Sequence, residues 1–202
     1  MDRRNLLRTM GVAAGACLAP RVLKGALSCG VPMPPYGVRS CMAGIPAERM
    51  NTVYAAQQMS QWCWAACLEM VFSYWGHPVS QVDIVQQTWG GIVNMPAGPY
   101  QIVRDLNRQW EDADGDTFTV EGDVFTANAV TAAQDLENEM PLIIGSLGHA
   151  MVLTAISYQV APNGQGVPTG ALVRDPFPGR GRRPLTPVEW AGAMLLARIR
   201  VQ

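Results

Sequence analysis

An almost wholly apolar stretch at residues 64–75 is interrupted by only two clearly polar residues, Glu69 and Ser73. Because these two lie four positions apart, they share one stripe, and the pattern predicts a helix buried on most of its sides. A polar segment at residues 57–61 comes before it and leaves Cys63 at the first turn. The partial positive charge and the unpaired N–H groups of a helix N-terminus favour a thiolate over a thiol. Cys63 is therefore a candidate nucleophile.

Later segments also have the periodicity of regular elements. Further helices are expected over residues 81–88, 99–110 and 127–139. Strands are expected over residues 117–121, 141–146, 149–158, 170–175 and 194–201. Helices thus come first and strands later, which is the order of an α+β protein. We expect the helical part to carry the nucleophile and the sheet to carry the base.

The N-terminal 28 residues differ from the rest of the chain. A charged head with Arg3, Arg4 and Arg8 precedes a weakly apolar stretch at residues 10–19. This is the pattern of an export signal, and the stretch is too short to span a membrane. The Arg-Arg-Asn-Leu-Leu sequence resembles a twin-arginine signal. We therefore expect residues 1–28 to export the protein to the periplasm or the medium, without stable membrane insertion after cleavage. The plainer alternative is an amphipathic or disordered N-terminus.

Residues 29–46 are rich in proline and glycine, which disfavours a helix and predicts a linker. Residues 47–202 would then form one domain, as expected for a chain of 202 residues with 49% hydrophobic composition. In an oxidising compartment Cys29 and Cys41 could form a disulfide. Cys67 lies on the same helix as the candidate nucleophile, where bridge geometry is poor, so we expect it in the core.

Four residues form a set that extends along the chain. Gln57 lies six residues before Cys63, which a Trp follows; His149 is the centre of a Gly-His-Ala sequence, and Asp175 is followed by Pro. This set resembles the papain-like cysteine proteases over roughly residues 53–190, and most closely the compact bacterial branch, such as bacteriocin leader peptidases and plant-pathogen effector proteases. The resemblance implies an N-terminal helical lobe, with the nucleophile helix, packed on a C-terminal antiparallel β-sheet lobe.

The resemblance also implies a role for each residue. Cys63 would be the nucleophile, His149 the base and Asp175 the group that orients the base, while Gln57 and the backbone N–H of Cys63 would form the oxyanion hole. The implied reaction is hydrolysis of a peptide or protein substrate through a thioester acyl-enzyme, without a cofactor. His149 follows Cys63 by 86 residues, fewer than the 130–150 or so of papain and cathepsins, so the loops around the cleft must be shorter.

Two other functions are compatible with the same residues. A peptide-binding module of this fold could keep the cleft without catalysis, although here no catalytic group is missing. A thioester acyltransferase would use an amine instead of water to resolve the acyl-enzyme, and the sequence does not separate the two reactions. Taken singly, the residues have plainer interpretations: Cys63 and His149 as core residues, and Asp175 with its proline as a turn.

Other candidate sites are interpreted as structural. His77 comes directly after the nucleophile helix, too far from its start to act there, and is expected in a surface loop. The acidic run at residues 111–116 lacks the glycine position and terminal Glu of a calcium loop, so we assign no metal. The basic cluster at residues 179–183 is expected to be a solvated loop, or else to attract acidic residues of a substrate. A net charge of −1 gives no indication of nucleic-acid binding.

Overall fold

The computed structural model describes residues 25–202. Its helices are α1 (Ala47–Thr52), α2 (Cys63–Trp75), α3 (Gln81–Trp89), α4 (Pro99–Leu106), α5 (Ala129–Glu137) and α6 (Pro187–Ala191). Its strands are β1 (Ala26–Cys29), β2 (Arg39–Gly44), β3 (Arg108–Glu111), β4 (Thr117–Phe125), β5 (Leu142–Ser146), β6 (His149–Val160), β7 (Gly166–Asp175), β8 (Gly181–Pro184) and β9 (Ala193–Val201). The predicted α+β class is confirmed: helices α1 to α4 precede strands β3 to β9 of the antiparallel sheet, whereas β1 and β2 of the same sheet come before these helices.

Helix α2 is the buried centre of the helical part, as its apolar pattern predicts. Only Cys63, Glu69, Ser73 and Trp75 of its thirteen residues retain intermediate exposure, and the others are buried. It ends at Gly76, whose φ of 96° lies in the left-handed region that favours glycine at a helix C-terminus. Because α2 packs against β6, its first turn lies close to the sheet.

Strand β6 organises the sheet. One edge of β6 pairs first with β5, at residues 149–153, and then with β2, at residues 155–160, while β7 pairs along the other edge. Beyond β5 the strands follow in the order β9, β4 and β3, beyond β7 lies β8, and β1 pairs with the outer edge of β2. All of these pairs are antiparallel. The arrangement brings the start of β6 and the end of β7 to the same place.

Most predicted elements are confirmed, but the helix expected over residues 99–110 ends at Leu106. Residues 108–111 instead form β3, which pairs with β4. The indole of Trp110 is buried against the ring of Phe72, and its N–H donates to the carbonyl of Asp105 at 2.9 Å. Tertiary packing of this large ring, which the local pattern does not reveal, therefore ends the helix.

The linker predicted for residues 29–46 is not found in the structure. Cys29 ends β1, and residues 39–44 form β2, which pairs with β6. The prolines that suggested a linker are confined to the β1–β2 loop and the entry to α1, where a missing N–H costs no strand hydrogen bond. Cys29 and Cys41 lie opposite each other and form the disulfide that the sequence allowed.

The N-terminal signal prediction lies largely outside the described residues. Only residues 25–28 of the predicted segment can be compared with the structure, and residues 26–28 belong to β1. Within residues 25–202 no helix has the length and apolar character needed to cross a bilayer.

The acidic run forms the β3–β4 turn. Oδ1 of Asp112 accepts the backbone N–H groups of Asp114 and Asp116 at 3.0 and 2.9 Å. Its Oδ2 lies 2.8 Å from Nδ1 of His77, whose ring stacks on Phe118. His77 and the acidic run thus bind each other at the far end of α2, as a structural contact.

Candidate active site

The structure brings Cys63, His149 and Asp175 together from three elements. Cys63 is the first residue of α2, and no side chain caps this helix at Trp62, so its first-turn N–H groups remain open. His149 begins β6 directly after a two-residue turn from β5, in which Leu147 and Gly148 have φ of 50° and 77°. Two positive φ angles are the mark of a tight hairpin turn that matches strand twist. This turn fixes the position of His149 at the start of β6.

Asp175 is buried at the end of β7 and holds the imidazole of His149. Its Oδ1 lies 2.7 Å from Nε2 of His149 and accepts the backbone N–H of Phe177 at 2.9 Å. The side chain of Asp175 is fully buried, while that of His149 is a quarter exposed. Because Nε2 is engaged in this way, Nδ1 is the ring nitrogen left for the thiol of Cys63.

The environment of Cys63 favours its thiolate. Burial alone would raise the pKa of Cys63, but the hydrogen bond from His149, the N–H groups of Ala150 and Trp64 and the charge of His149 together lower the pKa below its usual value. Cys67, one turn further along α2, shows the opposite behaviour. It is completely buried, and burial raises its pKa well above the usual value. The prediction that Cys67 is a core residue is confirmed.

The electrostatics of His149 complement those of Cys63. Burial opposes protonation of the ring, but the hydrogen bonds with Asp175 and Cys63 and their charges outweigh it and raise the pKa of His149 to about 9. Burial alone would raise the pKa of Asp175. The hydrogen bonds from His149, Phe177 and Arg183 hold the pKa of its carboxyl well below the usual range. The three shifts together favour an imidazolium between a thiolate and a carboxylate.

The second oxygen of Asp175 is bound by a residue that the sequence did not single out. Nε of Arg183 donates to Oδ2 at 2.8 Å, and the more exposed Arg180 approaches it at 3.4 Å. The cluster at residues 179–183 was expected to be a solvated loop, and this is wrong for Arg183, which lies on β8. The pairing of β8 with β7 carries it back over Asp175.

Gln57 is buried in the loop before α2. Its backbone N–H donates to the carbonyl of Pro176 at 2.8 Å, which ties this loop to the end of β7. Its side-chain Nε2 lies 3.0 and 3.1 Å from the carbonyls of Met59 and Ser60. The amide must therefore turn away from one of these carbonyls before it can donate to an oxyanion near Cys63.

The two tryptophans next to Cys63 in sequence, Trp62 and Trp64, hold the loop before α4 against the start of α2. The indole N–H of Trp62 donates to the carbonyl of Val93 at 2.8 Å, and that of Trp64 donates to the carbonyl of Met95 at 3.1 Å. Both rings are buried. The Trp that follows Cys63 is part of the resemblance, but its contact with the loop before α4 depends on residues distant in sequence.

A pocket of about 300 Å³ opens at the thiol. It is lined mainly by apolar side chains and glycines from α4, β5, β6 and β9, and among its residues are Cys63, Trp64, Pro99, Gly145, His149 and Leu195. A larger groove, of about 550 Å³, lies over β2, β6 and β7 beside α6 and contains none of the predicted site residues. The chemistry therefore belongs to the smaller pocket.

Metal binding has no candidate ligand group in the structure. Within residues 25–202, no three His, Cys, Asp or Glu side chains lie close enough together to hold an ion.

Comparison with curated proteins gives no match. Comparison with protein families gives a match over residues 50–187, which include all four predicted site residues. The match confirms the expected relationship to the papain-like cysteine proteases and indicates a cysteine peptidase. Because it extends over more than half of the sequence, the chain belongs to the Peptidase_C39 like family.

Proposed function

We propose that the protein is a cysteine peptidase that hydrolyses peptide bonds through a Cys63–His149–Asp175 triad and a thioester acyl-enzyme. The observation that carries this proposal is the placement of Cys63 at an uncapped helix N-terminus, beside an imidazole that is bonded at 2.7 Å to a buried carboxylate. Structural cysteines are usually inert because burial raises their pKa. Here the pKa of Cys63 is lowered despite burial.

The reaction follows from these positions. The thiolate of Cys63 attacks the carbonyl carbon of the substrate, and the resulting oxyanion accepts the backbone N–H of Cys63 and a donor from Gln57. His149 then gives its Nδ1 proton to the leaving amine as the carbon–nitrogen bond breaks, which leaves the thioester. In the second half His149 takes a proton from water, the hydroxide attacks the thioester, and the thiolate of Cys63 is released with the carboxylic acid product. Asp175 keeps the ring oriented throughout.

The pocket supports a peptide substrate. Its lining is mostly apolar, and the only titratable side chains on it are Cys63 and His149. Exposed apolar residues, among them Leu147 and Met194, lie at or beside this pocket. Such a surface suits an uncharged segment of a peptide or protein. Binding without catalysis and acyl transfer to an amine are the alternatives; every group needed for hydrolysis is present, which favours the enzyme.

We also propose that the enzyme acts outside the cytoplasm. The charged head with Arg3 and Arg4 and the weakly apolar stretch after it support export. The Cys29–Cys41 disulfide supports it independently, because disulfides persist in oxidising compartments.

The proposal is tested by alkylation of Cys63 with iodoacetamide across a pH series, followed by peptide mapping. The pKa of activated thiols falls between about 3.5 and 7.5, so Cys63 should react at mildly acidic pH. Replacing His149 by Ala removes the cation and should move the profile toward alkaline pH, leaving only the smaller effect of the helix N-terminus. The measured quantity is the labelled fraction of the Cys63 peptide at each pH.

Cys67 provides an internal control in the same digest. It is buried and has no cationic partner, so it should remain unlabelled under these conditions. If Cys63 reacts only above pH ~8 in both the wild type and the His149→Ala variant, the thiolate–imidazolium pair does not exist. The peptidase proposal would then lose its central support.

A further inference from the structure

The carboxylate of Asp175 is divided between two sets of partners. Its Oδ1 faces His149 and the N–H of Phe177, and its Oδ2 faces the guanidinium of Arg183. Asp175 is fully buried, and only a fifth of the Arg183 side chain is exposed. The arrangement leaves the carboxyl group little freedom to rotate, because a turn about its side-chain bond would break contacts on both oxygens.

Arg183 is itself held in place by a second carboxylate. Its Nη1 and Nη2 donate to Oε2 and Oε1 of Glu189 at 3.0 and 2.6 Å. This two-point contact matches the planar fork of a guanidinium. Oε2 of Glu189 also accepts the backbone N–H of Thr186 at 2.8 Å, in the capping box of α6. The guanidinium is therefore fixed at three of its nitrogens, and its Nε is directed at Asp175.

We propose that Arg183 is a positioning residue of the active site, which acts on Cys63 and His149 by holding the carboxylate of Asp175 in the orientation that bonds the imidazole. This inference rests on the proposed triad and adds to it a fourth side chain that is not among those lining the pocket at Cys63. The division of the Asp175 oxygens between His149 and Arg183 is the observation behind it.

The expected effect has a definite sign. Without Arg183, Oδ2 of a buried carboxylate keeps only the longer contact with Arg180, and an incompletely paired buried charge is costly. The carboxyl group then turns or loses part of its charge, and the imidazolium of His149 is stabilised less. The thiolate of Cys63 in turn loses part of its cation. The acid limb of the Cys63 alkylation profile should therefore move to higher pH.

The experiment measures that profile in Arg183→Gln, Arg183→Lys and a matched control, Arg182→Gln. The side chain of Arg182 is exposed on the same strand and makes no ion pair or hydrogen bond with any residue in 25–202. Arg183→Gln should slow alkylation at the wild-type midpoint by about 10-fold to 100-fold, the range seen when a group that orients a ligating histidine is removed. Arg183→Lys keeps the positive charge without the planar guanidinium, so its alkylation rate should lie between those of the wild type and Arg183→Gln. Arg182→Gln should match the wild type.

A second set of variants tests whether Arg183 acts through Asp175. In an Asp175→Ala background there is no carboxylate to hold, so adding Arg183→Gln should leave the Cys63 profile of that variant unchanged. A direct effect of the arginine charge on the thiolate, or a general loosening of the fold, would shift the profile in both backgrounds. The difference between the two backgrounds is a double-mutant cycle, which isolates coupling between the two residues.

Two results would overturn the inference. One is an unchanged profile in Arg183→Gln, or in Arg183→Lys if the Gln variant does not fold. The other is a shift of equal size with and without Asp175. Either result leaves the proposed peptidase intact as long as wild-type Cys63 reacts at acidic pH. Failure of that wild-type reaction would instead count against the triad itself.

Discussion

At the scale of single residues, Cys63 and Cys67 show how position alone determines the chemistry of a thiol. They lie one helical turn apart on α2, yet their pKa values are shifted in opposite directions. Cys63 has the open N–H groups of the first turn and the imidazole of His149 beside it. Cys67 is fully buried, and burial together with the nearby charges of Cys63 and Asp175 raises its pKa. The same helix thus holds a thiol with a lowered pKa at its end and a thiol with a raised pKa inside.

Gln57 provides the first residue-scale prediction. Gln57→Ala should lower turnover by about 10²–10³, the usual loss when one oxyanion donor is removed. The alkylation profile of Cys63 should stay unchanged, because no oxyanion forms when iodoacetamide reacts with the thiol. The measurements are kcat on a cleaved peptide and the pH profile of labelling, made on the same preparation.

Gln58→Ala is the matched control for Gln57→Ala, since Gln58 is the exposed neighbour in the same loop. A loss of kcat in the Gln58 variant alone would transfer the role to that residue. A changed labelling profile in Gln57→Ala would mean instead that the side chain mainly holds the loop, through its contacts with Met59 and Ser60.

The sequence indicated Cys63, His149 and Asp175 through their combined resemblance to papain-like proteases, and the structure brings them together, but the sequence did not predict the contact of Arg183 with Asp175. Cys63 follows a polar loop and begins an apolar helix, and His149 lies in a short Gly-His-Ala sequence at the start of an apolar run. Arg183 belongs to a glycine and arginine segment without periodicity. Its role depends on the pairing of β8 with β7, which brings it back to Asp175. Such a pairing between two strands has no local signature.

At the scale of elements, the segments with a clear local hydrophobic pattern were predicted, and those without one were not. Helix α2 and strands β5 and β9 have clear apolar patterns and were predicted nearly to their ends. Strand β1 is exposed at all four residues, and β8 alternates only between intermediate and exposed ones. Strands at the edges of a sheet bury little surface, so their hydrophobic pattern is weak.

Helix α6 has only five residues, none of them buried, and depends on the capping box and on Arg183. The hydrogen bond from Arg183 lowers the pKa of Glu189 to about 2, although burial opposes this. A carboxyl group with a lowered pKa stabilises the fold above its unfolded value, 4.5 here, and loses that contribution as pH falls toward the folded value. The contact should therefore matter at neutral pH and vanish in acid.

Glu189→Gln tests this pH dependence. At pH 7 the variant should have a lower free energy of unfolding than the wild type, by at most about 3.5 kcal/mol, since the pKa is lowered from 4.5 to about 2 and one pKa unit corresponds to about 1.4 kcal/mol. The difference should decrease as the pH falls from 4.5 and disappear near pH 2. Urea unfolding followed by tryptophan fluorescence at several pH values measures it. Glu121→Gln, at an exposed position on β4, should show little difference from the wild type at any pH.

At the scale of the whole molecule, the first described strand bears on how the protein matures. The predicted signal includes residues 26–28, which the structure places in β1. There they pair with residues 42–44 of β2, and Cys29 forms its disulfide with Cys41. Helix α5 packs on both strands. Cleavage after Ser28 would therefore remove most of one sheet strand and leave the edge of β2 without a partner.

The last prediction rests on the proposed export: the mature protein should keep this strand, with an N-terminus at or before Ala26. An open strand edge leaves backbone groups unpaired and favours association with other chains. A disulfide at Cys29 would then hold only the free end of the chain. Intact mass and N-terminal sequencing of protein recovered from the periplasm or medium measure the cleavage position. A shortened protein that begins at Cys29 is the comparison, and it should have a lower Tm and a greater tendency to aggregate. Recovery of an exported form that begins at Cys29, with the Tm of the longer protein, would show that β1 is dispensable and that the signal extends to residue 28.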